Sequence, residues 1–311
     1  MPTTEELHPL CCHSTGAADQ LHFQHKPLDL NIPSIRLLRV SSKLSKDGAV
    51  QCRMAHFETS RPESGRQLVE PLDSYPPLPS YTCLSYTWGE PSPLYLIKID
   101  GRPFHVRKGL WDFLRTVRKW KWLRRRNLWI DALCIDQENK TERNHQVQQM
   151  GRVYSEAEMV VCWLGCDVGI EGMLGGIRNS PNWEANTILS PRTGQLNVNV
   201  NGVYSAEYVT RLCWAEYWSR AWVTQEIALA RAAMVVAGSE AVDLNPVIRT
   251  IKPNDCPFQD ISDYVLDRTK ETSRADRDLW RLLYHFRKAR CTIPRDRIYS
   301  LLALCADGDR I

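Results

Sequence analysis

The chain has 311 residues, a formal net charge of +4 and 43% hydrophobic residues. That is long enough to bury a core without disulfides or metals, and the charge alone implies no nucleic-acid partner. The eleven cysteines show no CxxC spacing, no apolar run approaches the ~20 residues of a membrane span, and "MPTTEELHPLCCHSTG" lacks a signal-peptide core, so a reduced, cytoplasmic protein without a membrane span is predicted.

Residues 1 to 32 lack periodicity and read as a flexible leader. "SIRLLRV" and "AVQCRMAHFE" are strand-like on either side of "SKDG", a hairpin pattern. "SYPPLPSY" is an extended connector, because proline fixes φ and removes donors. "YTCLSYTWG" then reads as a strand ending at Gly89, and "LYLIKIDGRPFHVR" as a hairpin turning at Asp100-Gly101. Leu110, Phe113, Leu114, Val117 and Trp120 recur at helical spacing. The run "NLWIDALCI" (127 to 135) predicts a central parallel strand buried on both faces, with Asp131 inside it. A helix over 141 to 157 and a second buried strand, "MVVCWLG", follow. Residues 166 to 204 are rich in Gly and Asn and predict an insertion or lid. One helix is expected over 206 to 231, then the strand "AAMVVAG", then helices to the end. The α/β alternation predicts a parallel sheet covered by helices on both faces. The domain would span 33 to 240, with a helical extension over 241 to 311.

Four segments carry a resemblance. "YTCLSYTWGEP", "LWIDALCIDQENKTERNHQVQQMGRVYSEAEMVVCWLG", "YWSRAWVTQEIALA" and "CTIPRDRIYSLLAL" occur in this order, and together they resemble the fungal heterokaryon incompatibility (HET) domain. That domain is regarded as a remote relative of TIR domains. The resemblance implies a flavodoxin-like, TIR-like α/β sheet and a role in fungal nonself recognition and programmed cell death. Some TIR domains cleave NAD at the nicotinamide–ribose bond with one helix-borne Glu. "SRAWVTQE" is the segment similar to that helix, with Glu226 in the Glu position and Trp222 as the aromatic four residues before it. The resemblance also implies assembly into a homo-oligomer on activation, through an upstream partner that no motif identifies. NAD enters only as a possible substrate, and no resident cofactor is expected.

Trp222 and Glu226, four apart, share a helix face. A carboxylate under the ribose could offset the charge of an oxocarbenium-like state, while Trp222 could stack on a flat ring. Equally, Trp222 could be a core anchor and Glu226 the partner of Arg220 or Arg231. Arg220 could hold a phosphate or serve structure. Ser85, Tyr86, Trp88 and Gly89 end a strand, where open α/β sheets bind ligands; the alternative is a buried strand-to-loop turn. Asp131, in an apolar setting, needs a hydrogen-bond partner, either structural or a ligand. The basic run "RKWKWLRRR" (118 to 126) reads as a solvated helix end rather than a nucleic-acid surface. No GxGxxG or Walker A loop is present.

Overall fold

Strand β1 (Ser34–Leu44) and β2 (Val50–Glu58) pair antiparallel, as their flanking turn residues predict. Strand β3 (Tyr81–Tyr86) has all six residues buried. Strands β4 (Leu94–Ile99) and β5 (Arg102–Arg107) form the second hairpin. Its two turn residues, Asp100 and Gly101, have φ of 51° and 80°. Positive φ at both positions suits the twist of a tight hairpin. The computed structural model describes residues 22–32, 34–58, 78–179, 188–189, 196–197, 206–251, 255–268 and 278–305. The predicted connector falls largely outside them.

Helix α1 (Lys108–Lys119) buries Leu110, Phe113, Leu114 and Val117, and the short α2 (Lys121–Arg124) follows it. The basic run here ends helices and bridges to neighbours: Arg124 donates to the Arg118 carbonyl, and Arg126 pairs with Glu158. Strand β6 (Asn127–Trp129) stops three residues into the apolar run, and helix α3 (Asp131–Cys134) takes over. The predicted strand containing Asp131 is therefore corrected. The Cys134 N–H bonds back to the Ile130 carbonyl at 2.7 Å, closing a helical turn. The Asp131 carboxylate accepts from Ala132 N at 2.7 Å, as acidic groups do at helix starts.

Helix α4 (Lys140–Glu156) leads to strand β7 (Met159–Trp163), both as predicted. Helix α5 (Val168–Asn179) occupies the first part of the supposed lid. It buries Ile170, Met173, Leu174 and Ile177, so this part is packed core; strands β8 (Ile188–Leu189) and β9 (Leu196–Asn197) form a separate two-stranded pair. The rest of the stretch lies outside the described residues.

The helix expected over 206 to 231 is broken in two. Helix α6 (Ala206–Cys213), a 3-10 turn (Glu216–Ser219) and helix α7 (Ala221–Ala228) replace it. The break is held from outside the segment. Arg220 is extended and bridges to Arg290, with Ala221 N donating to the Arg290 carbonyl at 2.8 Å. The Trp218 indole folds back to the Leu212 carbonyl at 2.7 Å. Strands β10 (Ala233–Ala237) and β11 (Glu240–Asp243) form a closing hairpin.

All strands except β8 and β9 join one sheet in the order β11-β10-β7-β3-β6-β1-β2-β4-β5. It is mixed rather than parallel. Strands β10, β7, β3 and β6 are parallel neighbours, while β6–β1, β1–β2, β4–β5 and β10–β11 are antiparallel. Numbered by appearance, the four parallel strands run second, first, third, fourth across the sheet, which is how doubly wound flavodoxin-like sheets begin. The chain reverses direction across the sheet between β3 and β7, and open α/β sheets bind ligands at the carboxyl ends of such a pair.

Helices α8 (Leu244–Thr250), α9 (Pro257–Arg268), α10 (Leu279–His285) and α11 (Asp296–Leu302) follow. Val247, Phe258, Leu282 and Leu301 join the same core cluster as Cys83, Tyr154 and Val235, so the helical extension packs on the α/β core. Residues 22–32, grouped with the leader, are also docked. Phe23 N donates to the Pro103 carbonyl at 3.1 Å, the His25 ring bonds the Leu133 carbonyl at 2.7 Å, and Leu28 is buried. Apolar residues within a polar stretch anchor it.

Gly151 on α4 lies against Ala303, the residue that follows α11. A Cβ there would meet the Ala303 Cβ at 2.5 Å. Gly151→Ala should therefore lower stability by roughly 1 kcal/mol, since the overpacking exceeds the gain in helix propensity. A thermal melt checks this; a rise in Tm would mean the two helices separate easily.

Candidate functional site

Glu226 reaches the sheet at the carboxyl end of β3. Its Oε2 accepts a short hydrogen bond from the Ser85 hydroxyl. Ser85 Oγ lies 2.6 Å from the Tyr217 hydroxyl. Ser85 is on β3, Tyr217 on the 3-10 turn and Glu226 on α7. One polar chain therefore ties three elements together at the end of β3. Ser85 sits opposite Cys162 of β7 in the parallel register.

Arg220, the residue before α7, donates to the Tyr86 carbonyl. It acts electrostatically on both Glu226 and Asp131. Asp131 accepts from the Trp88 indole at 2.9 Å. Arg107 lies over the Trp88 ring, 5.4 Å from its centroid, and donates to the Gly89 carbonyl at 2.8 Å. Gly89 has φ of 68°, which only glycine adopts freely, so it lets the chain turn off the strand end.

Burial sets the charge state. Glu226 is 2% exposed. Desolvation pushes its carboxyl up to about 7, against the opposing pull of Arg220 and the Ser85 hydrogen bond. Desolvation likewise raises Asp131, with Arg220 and the Trp88 indole acting the other way. Two carboxyls raised beside one guanidinium are the pattern in which perturbed groups mark functional sites.

The predicted site residues thus divide. Ser85, Trp88, Gly89, Asp131, Arg220 and Glu226 gather around the ends of β3 and β6. Tyr86 does not present its ring to Glu226. It alternates to the opposite face of the sheet from Ser85, where it is buried with Leu84 and Phe113, and it contributes only its carbonyl. Trp222 faces α11. Its indole donates to Asp296 at 3.2 Å, and it packs against the core cluster. The structural alternative for Glu226 is also revised: its partner is Ser85, while Arg231 bonds the Ser155 carbonyl. Glu226 faces no open hollow, because its surroundings exclude solvent. Tyr217 was missed. Tyr217 lies within "YWSRAWVTQE", but a continuous helix would have put it on another turn.

Among the described residues no group of three or more His, Cys, Asp or Glu is placed to hold a metal. No helix among them is long and apolar enough to cross a membrane.

Residues 81–226 match the family described as Heterokaryon incompatibility protein (HET). The chain carries a HET domain. The match begins at the first residue of β3 and ends on Glu226, so it encloses Ser85, Tyr217 and Glu226. Among curated proteins, Heterokaryon incompatibility protein 6, OR allele, from Neurospora crassa is 38% identical over 100 residues, which is 29% of this chain and 15% of that relative. The match thus covers less than one fifth of the relative's own length. No solved structure matches the chain.

Asp131→Leu tests the HET domain's second carboxyl. It leaves the Trp88 indole and Ala132 N–H without an acceptor, so a loss of about 1–3 kcal/mol is expected. An unchanged melting temperature would contradict a structural role for Asp131.

Proposed function

We propose that this HET-domain chain serves fungal nonself recognition leading to cell death, and that it hydrolyses NAD at the nicotinamide–ribose bond with Glu226. The observation carrying this is a buried carboxyl hydrogen-bonded to Ser85 at the switch point between the parallel strands of the mixed sheet, where burial raises it to about 7. Nicotinamide leaves neutral from a cationic pyridinium, so its departure needs little acid catalysis. The demanding part is the oxocarbenium-like ribose. One carboxylate close to it offsets the developing charge. In this reading Ser85 and Tyr217 orient the carboxylate, and Arg220 favours its ionised form. Because Glu226 is sealed, the substrate enters only when the elements around it part, and assembly of several copies supplies that opening. The chemistry is that implied by the likeness to TIR enzymes.

The same burial favours a second reading, in which the domain is a non-enzymatic adaptor acting by homotypic assembly and Glu226 fixes its packing. One assay separates them. Concentrated protein is incubated with NAD, as purified and after forced oligomerisation, and free nicotinamide is measured. The enzymatic reading expects release from wild type that grows on clustering and falls by at least about a hundredfold in Glu226→Ala and Glu226→Gln. Equal release from both variants removes Glu226 from the mechanism. Silence from all samples, clustered included, favours the adaptor.

A further inference from the structure

Glu226 meets Ser85 at the carboxyl end of β3. The basic run lies at the other end of the sheet. Helix α2 leads through Arg125 and Arg126 to Asn127, which pairs with Tyr81 at the amino end of β3. Strand β1 runs antiparallel to β6, so its last residues come to the same end. Arg118, near the end of α1, donates to the Ser42 carbonyl at 3.4 Å, and α2 packs against β1. The α1–α2 corner and the β1–β2 turn therefore form one surface at the amino ends of the parallel strands.

That surface carries positive charge without compensation. No acidic residue occurs between Asp112 and Asp131, nor between Asp29 and Asp47. The acids at its margins are engaged: Asp112 with Lys108, Asp47 with Lys98 and Glu158 with Arg126. Lys43, Lys46, Lys119, Lys121 and Arg125 are exposed, and none has an acidic partner among the described residues. Two apolar side chains stand between these cations. Trp120 packs on the core, and Trp122 stacks on Trp120 with ring centroids 5.8 Å apart. That support leaves Trp122 39% exposed between Lys121 and Arg125, while Leu44 is 42% exposed between Lys43 and Lys46. We propose that this surface docks on an anionic lipid bilayer, its cations against the headgroups and Trp122 and Leu44 at the interface.

A bilayer suits both components. Each Lys or Arg near an anionic leaflet adds about fivefold to the affinity. Indoles favour the headgroup level, and apolar side chains among cations are the pattern of peripheral binding. A nucleic-acid strand would use the cations and one indole face, but it would leave Leu44 without a role. Docked this way, the carboxyl ends of the parallel strands, and Glu226 with them, face away from the lipid. Copies held on a surface also meet more often than copies in solution. The docking does not depend on the NAD reading, because lipid binding is measured without turnover.

The test sediments the intact chain with vesicles of phosphatidylcholine, alone or mixed with phosphatidylserine, at low and at physiological ionic strength. Binding is expected only with phosphatidylserine, and it should weaken as salt screens the charges. The triple variant Lys119→Gln/Lys121→Gln/Arg125→Gln should bind about a hundredfold more weakly, at about fivefold for each cation. A matched variant of the helical extension, Arg287→Gln/Lys288→Gln/Arg295→Gln, should bind like wild type. Trp122→Phe should reduce the quenching of tryptophan fluorescence by lipids brominated in their acyl chains. Failure of wild type to sediment with phosphatidylserine vesicles at low salt overturns the proposal. So does an equal loss in the two triple variants, which would make the attraction one of net charge alone. Tighter binding to a single-stranded oligonucleotide than to the vesicles would overturn it in favour of nucleic acid.

Discussion

Arg36→Met should destabilise the fold by about 3–5 kcal/mol, the penalty for leaving a buried charge unpaired. Arg36 is fully buried, and its guanidinium is divided among four segments, with Nε donating to His56 of β2 at 3.2 Å. Nη1 and Nη2 bind Glu142 at 2.5 and 2.8 Å. Nη1 also donates to the Cys134 carbonyl at 2.9 Å, and Nη2 to the Lys26 carbonyl at 2.6 Å. Glu142 completes the set by accepting Asp136 N at 2.8 Å. Methionine fills much of the volume but satisfies none of these acceptors. Segment 22–32, α3 and α4 would lose their shared tie to β1 together. Burial alone would raise the Glu142 carboxyl; the Arg36 hydrogen bonds and the Asp136 amide outweigh it, and the group sits below its usual 4.5. Its contribution is thus present above about pH 4.5 and lost as pH falls through the lower folded value. Denaturant unfolding followed by tryptophan fluorescence measures the effect. A change under 1 kcal/mol at neutral pH would show that the pair is not desolvated in solution. The double variant Arg36→Met/Glu142→Leu should recover much of the loss, because no charge is then stranded.

Arg36 was not legible as a core residue, since it sits in "SIRLLRV" like any polar position of a strand. The strands themselves were legible. Hairpin β4–β5 was announced by Asp100-Gly101, and the parallel strands β3, β7 and β10 by short apolar runs. Where the reading failed, the deciding contact came from elsewhere in the chain. The run through Asp131 looked like one strand because periodicity cannot separate a buried strand from a buried helical turn. The helix over 206 to 231 had acceptable spacing throughout; the bridge to Arg290 and the Trp218–Leu212 bond interrupt it. In α5 the glycines suggested a flexible lid, yet Gly169 and Gly175 lie where Tyr208 and Glu240 approach closely. Small size serves contact there. The candidate site was half legible. Glu226 and Ser85 came from motif order, but a charged side chain gives no local sign that it will be sealed, and Tyr217 enters only through the broken helix.

Glu226→Gln should stabilise the domain at pH 8 by about 3 kcal/mol, and hardly at all near pH 4.5. The folded carboxyl titrates near 7 against an ordinary 4.5, with burial the dominant cause. A tenfold change in proton affinity is about 1.4 kcal/mol, so this gap is on the order of 3 kcal/mol. The sign follows from the direction. A raised carboxyl favours folding while protonated; that contribution is complete below about pH 4.5 and is lost as pH rises to about 7. Above pH 7 the native protein holds a desolvated negative charge that the unfolded chain would hydrate. Glutamine keeps an oxygen to accept from Ser85 and carries no charge, so the variant's stability should lack this loss. Asp131, which helps raise Glu226, remains in the variant and leaves its own trend. Melts of both proteins at half-unit steps from pH 4 to 8 give the difference directly. A flat difference would mean that the carboxylate is hydrated in solution and the cluster already open. A difference that grows with pH would establish a group held at a stability penalty, as active sites characteristically hold theirs, and would make the clustered NAD assay the decisive next measurement. A negative difference at every pH would instead give the carboxylate a structural hydrogen bond that the amide fails to replace.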